Sequence, residues 1–127
     1  MLPSFYHSIL EKYISPTQLL TLQMLVWLLQ TQKEVRIERL ATTLQLPILQ
    51  SSRRHIQRFL QIKALSILVL WFPIVKEVIA RQLKAGSQLI IALDRTQWND
   101  YNVLMVNAIV QKRAFPIFWT LLGLKNK

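Results

Sequence analysis

Two periodicities divide the chain. Up to about Gly86 the apolar positions recur at helical spacing, and beyond it they bunch into short runs that suit strands. The first helical signal is Ser15-Pro16, a residue able to cap a helix followed by one suited to its first position. Leu19, Leu20, Leu22, Leu25, Val26, Leu28 and Leu29 follow. They cover most of the circumference, which predicts a helix central to the packing. Lys33-Glu34 breaks the pattern. A second helix is predicted from about Val35 to Leu44, with Ile37, Leu40, Ala41 and Leu44 on one face. Leu46-Pro47 ends it, because a residue before proline is pushed out of helical geometry. A third helix is predicted from about Leu49 to Gln61. A fourth runs from Ile74 to Leu83, with Gly86 closing it.

After Gly86, Gln88 to Leu93 reads as a buried strand, Tyr101 to Val110 as a second and Ala114 to Leu122 as a third. The links Arg95 to Asp100 and Gln111 to Arg113 are polar and short enough for hairpins. The fold class expected is therefore α+β. A helical domain over residues 1–86 precedes three antiparallel strands over 87–127, with Asp94 at or near the C-terminal end of the first strand.

Charge changes the picture. Sixteen Lys and Arg stand against six Asp and Glu, a net charge of +10 on 127 residues. Such an imbalance implies an anionic partner, nucleic acid or a membrane surface. The most apolar stretch, Ala64 to Val75, contains Pro73 and stops at Lys76-Glu77. It is well short of the roughly 20 residues that span a bilayer, so it reads as a buried segment. The start, Met1 to His7, lacks the charged-then-apolar order of a signal peptide. With no cysteine, disulfides, cysteine metal sites and thiol catalysis are excluded together.

Val35 to Gln61 has the layout of a helix-turn-helix. Ala41 is small enough for two helices to cross closely, and Leu46-Pro47 makes the turn. At about 100° per residue, Leu49, Ser52, Ile56, Phe59 and Leu60 fall on one side of the third helix, and Gln50, Arg54, Gln57, Arg58 and Gln61 on the other. Glutamine and arginine can make paired hydrogen bonds to adenine and guanine edges in a major groove. Arg53 and Lys63 at the margins are placed to meet phosphates. The same face also reads as the solvated side of an ordinary bundle helix. His55 has no second ligand at helical spacing and reads as a structural residue or a phosphate contact.

The run Leu89-Ile90-Ile91-Ala92-Leu93-Asp94-Arg95-Thr96-Gln97-Trp98 sets an aspartate after an apolar strand. A carboxylate there can bind a divalent ion, although an aspartate so placed is more often a turn or cap residue. The stretches Ala92 to Trp98, Asn102 to Val106 and Lys112 to Trp119 resemble the start of the catalytic domain of bacterial insertion-sequence transposases of the Asp-Asp-Glu class. Ser52 to Leu60 and Leu70 to Ile74 are similar to that family's N-terminal region. The resemblance reaches Leu122, and the chain departs from the family at Gly123 to Lys127.

This resemblance implies a ribonuclease-H-like domain in which Asp94 is the first acidic residue of the triad, a ligand of Mg²⁺. It implies transposon-end DNA as the partner, together with full-length transposase or a second copy, and a bacterial cytoplasmic, nucleoid-associated location without a membrane. The family's second aspartate and its glutamate lie farther along than this sequence reaches. The expectation is a truncated transposase that binds DNA without a complete catalytic site. A small DNA-binding regulator or inhibitor of the full-length enzyme, and a decayed gene product, carry the same residues and stay open.

Overall fold

The structure, a computed structural model, describes residues 2–43 and 49–123. It combines helices with a three-stranded antiparallel sheet, as an α+β chain does. Two compact units are present, Met1–Leu70 and Trp71–Lys127.

The first unit is helical. α1 (Ser4–Leu10) has no counterpart in the sequence reading and buries only Leu10. α2 (Pro16–Gln32) starts as its sequence predicts. Ser15 Oγ accepts from the Gln18 backbone N–H at 3.2 Å, and Gln18 Oε1 accepts from the Ser15 N–H at 3.0 Å. This reciprocal box satisfies two donors that a helix start leaves over. Lys33 ends α2 in the left-handed region, its N–H donating to the Leu29 carbonyl at 3.0 Å. Although α2 is apolar nearly all round, its packing is one-sided. Leu19, Leu25 and Leu28 are buried, whereas Leu20, Trp27 and Leu29 are exposed.

α3 (Ile37–Thr43) and α4 (Leu49–Leu60) follow. The expected Leu46-Pro47 turn and the Leu44 anchor lie outside the described residues. One cluster ties three helices together: Leu25 and Leu28 of α2, Leu40 and Ala41 of α3, and Ile56 and Phe59 of α4. Ala41, almost fully buried, is the small residue at that meeting.

A π-helical turn (Ile67–Trp71) leads into α5 (Phe72–Gln82), which has Pro73 in its first turn. The apolar stretch read as a buried segment is buried in part: Leu70, Ile74 and Val75 are buried, Leu68 and Val69 exposed. Gly86 does not close α5. Leu83 already leaves the helix in extended geometry, and Gly86, at φ +85°, serves a turn in which the Ser87 N–H donates to the Lys84 carbonyl. α5 belongs to the same unit as the sheet, so the compact units divide ahead of the Gly86 composition change.

The sheet order is β1 (Ile90–Trp98), β2 (Tyr101–Val110), β3 (Arg113–Leu122). Two-residue turns join the strands, Asn99-Asp100 and Gln111-Lys112, so both links are tighter than the sequence suggests. β1 continues through Arg95 to Trp98, where a polar turn was expected. Asp94 consequently sits mid-strand opposite Met105, not at the C-terminal end. Thr96 and Trp98 favour strands, and backbone pairing with Val103 and Tyr101 carries the ladder past the polar residues. A bulge opposite Val106/Asn107 leaves Ile117 of β3 out of the pairing with β2. It falls beside Pro116, which lacks the N–H that a regular ladder needs. The Pro116 carbonyl instead accepts from Trp71 Nε1 at 2.9 Å, and the Trp71 ring lies 5.6 Å from Phe115 and 6.3 Å from Trp119.

Candidate nucleic-acid interface

α4 has an anchored side and an open side. Ile56 and Phe59 fix it in the three-helix cluster. On the opposite stripe Arg54, Arg58 and Gln61 are exposed and Gln57 is half-buried. Gln50 lies in the first turn of α4, and its side chain is outside the described residues. Leu60, read with the buried side, is 49 % exposed because it ends the helix. Lys63 is exposed in the turn that follows, where the Leu65 N–H donates to the Ile62 carbonyl. Neither Arg54, Arg58 nor Lys63 forms an ion pair with a described residue.

Arg53, expected at the margin of the stripe, takes a partner on another helix. Its Nη2 lies 3.3 Å from Glu38 Oε1, so it braces α4 against α3. His55 braces α4 against α2. Thr21 Oγ1 donates its single proton to the Thr17 carbonyl at 3.1 Å and lies 3.1 Å from His55 Nε2, so the imidazole is the donor between them. These two ties and the apolar cluster hold the orientation of the basic stripe. Neither partner was legible from spacing, since Glu38 and Thr21 meet α4 only once the helices pack.

Ahead of α3, Glu34 and Arg36 form a fork, with Nε–Oε1 at 3.1 Å and Nη2–Oε2 at 2.8 Å. The Arg36 side chain, then its backbone N–H, holds the Glu34 carboxyl down at about 2. Glu34 in turn raises Arg36 above its ordinary value. The Arg36 cation is thus engaged within the chain.

Asp94 is exposed on one face of β1 and accepts from Thr96 Oγ1 at 3.4 Å. Arg95 is on the other face, its Nε donating to Asn102 Oδ1 at 3.3 Å. Asp100 lies in the turn beyond the end of β1. Two Mg²⁺ ions need a cluster of carboxylates. Among the described residues no group of three or more His, Cys, Asp or Glu side chains could hold a metal, so the residues around Asp94 do not fit that pair of ions. Among the described residues, no helix is long and apolar enough to cross a membrane. Comparison of the chain with models of protein families, with curated proteins and with solved structures finds no match to any of them.

Proposed function

We propose that this chain binds DNA through α4, as a non-catalytic representative of the insertion-sequence transposase type. The observation that carries the reading is the stripe Arg54, Gln57, Arg58 and Gln61, set opposite the buried Ile56 and Phe59. Its side chains are those that read base edges in pairs of hydrogen bonds: guanidinium to guanine, carboxamide to adenine. Arg53 and His55 set the helix in place through Glu38 and Thr21. Phosphate contact then falls to Lys63 and to whichever of Arg54 and Arg58 does not meet a base. The net charge of +10 draws the chain to a polyanion before any base is read. Asp94 corresponds to the first acidic residue of the family by resemblance alone, and one carboxylate does not hold the metal pair that strand transfer needs.

The test is a salt titration of binding to a labelled duplex, with native chain and an Arg54→Ala, Arg58→Ala double variant. Each lost phosphate contact lowers the slope of log affinity against log salt by about 0.9. If an arginine reads guanine instead, preference relaxes at that base, worth roughly 1–3 kcal/mol. Unchanged affinity and selectivity in the double variant would remove α4 from the proposal. Strand nicking with Mg²⁺ that vanished in Asp94→Ala would overturn its non-catalytic part.

A further inference from the structure

The β2–β3 connection is built from residues that do not suit it. A two-residue hairpin with both central residues at positive φ is usually made by Asn and Gly. Here Gln111 stands at φ 49° and Lys112 at φ 63°. Both carry a Cβ that disfavours the left-handed region. The turn is nonetheless held. Gln111 Nε2 donates to Gln82 Oε1, at the end of α5, at 2.6 Å, and Val110 just before the turn is buried.

This tie gathers charge at one end of the sheet. Lys84 follows shortly after Gln82, and the connection it belongs to delivers the chain to Ile90, which pairs with Ile109 beside the turn. Lys84, Lys112 and Arg113 are all exposed, and none forms an ion pair with a described residue. The carboxylates of this unit are placed elsewhere. Glu77 pairs with Arg81 at 3.0 Å, Asp94 is mid-strand, and Asp100 occupies the turn at the opposite end of β2. Backbone held in a sparsely populated conformation by its surroundings tends to mark a place where the side chains are used. What this turn displays is cations.

We propose that the β2–β3 turn, Lys112 and Arg113 with Lys84 beside them, is a second contact for DNA phosphates, separate from the α4 stripe; this rests on the DNA-binding reading. A lysine offers a point charge and an arginine a flat fork of donors, and both match phosphate oxygens. Such contacts fix how the protein lies on a duplex without selecting its sequence.

The experiment measures binding of the full chain to a labelled duplex across salt concentrations. A Lys112→Gln, Arg113→Gln variant is compared with the Arg54→Ala, Arg58→Ala variant. Loss of two phosphate contacts lowers the salt slope by about 1.8, so the native advantage shrinks about tenfold between about 50 and 200 mM salt, with sequence preference unchanged. Lys112→Gly separates charge from folding. Glycine relieves the left-handed strain, so this variant should melt higher yet bind with a slope lower by about 0.9. Lys112→Arg should bind like the native chain. If the turn variants keep the native slope while the α4 variant loses it, the turn proposal falls and the α4 reading stands. If only the turn variants lose it, the α4 reading falls and the turn stands. A native chain that binds no duplex overturns both.

Discussion

Replacing Ile56 with alanine tests whether α4 is anchored as described. The side chain is 1 % exposed and shares its cluster with Leu25, Leu28, Leu40, Ala41 and Phe59. The change removes three carbons, and at about 0.8 kcal/mol per buried carbon the transfer loss is about 2.4 kcal/mol. The three helices cannot close fully around the gap, so the residual cavity raises the total to about 3–4 kcal/mol. Leu60 offers a control on the same helix. It is 49 % exposed, and Leu60→Ala should cost roughly 1 kcal/mol, partly offset by the higher helix propensity of alanine. A helical unit the size of Met1–Leu70 has a total stability of roughly 3.5–10 kcal/mol, so the first change takes a large share and the second a small one. Thermal unfolding followed by circular dichroism separates them, because a domain of this size shifts by about 4–8 °C per kcal/mol. Ile56→Ala should fall by more than about 12 °C and Leu60→Ala by less than about 8 °C. Equal losses would refute the assignment of faces on α4, and with it the exposure of the arginine stripe. Arg54→Ala and Arg58→Ala should each stay within about 0.5 kcal/mol of native, which keeps any loss of DNA binding free of a folding effect.

Glu34 should titrate near 2, since the Arg36 side chain and backbone N–H favour its charged form. Its folded-state value is depressed, so its contribution to holding the start of α3 is complete above the ordinary 4.5 and is lost as pH falls toward 2. A carboxyl NMR titration with a midpoint near 4.5 would dismiss the fork. Ser15→Ala should cost about 1 kcal/mol in denaturant unfolding through loss of the capping box, and a neutral change would mean that the box does not form. Trp71→Phe removes the donor to the Pro116 carbonyl and should destabilise the sheet unit by about 1–3 kcal/mol, read from its unfolding midpoint. An unchanged midpoint would show that solvent takes over that carbonyl.

The sequence reveals most where one local rule decides. Ser15-Pro16 starts α2, and helical periodicity in α4 separates Ile56 and Phe59 from Arg54, Arg58 and Gln61. Legibility fails where pairing or packing overrides local character. Arg95 and Gln97 look like turn residues, yet an edge strand needs only one backbone partner and sends polar side chains to solvent on either face. α1 buries a single residue, too little to impose a readable period. Gly86 sits where a helix-closing glycine belongs, but α5 ends first at Leu83. Arg53 looks like a free cation because Glu38 belongs to another helix. The position of the Gln111-Lys112 link is legible, whereas its tightness and left-handed geometry are hidden by the lack of Asn or Gly.

The mid-strand position of Asp94 bears on what happens where two copies of the chain meet. No described strand pairs with the outer side of β1, and Ile90, Ile91 and Leu93 on it are exposed, Leu93 by 71 %. Bare apolar edges recruit strands from other copies and lead to aggregation. Asp94 and Arg95 interrupt this edge with a charge on each face. Two copies meeting antiparallel about Asp94 would set carboxylate against carboxylate on one face and Leu93 against Arg95 on the other, a repulsive and poorly packed junction. Asp94→Asn would lift the repulsion and leave the edge stickier. An aspartate read for its chemistry thus also acts as a spacer between molecules, and its loss would show first as turbidity in concentrated solution.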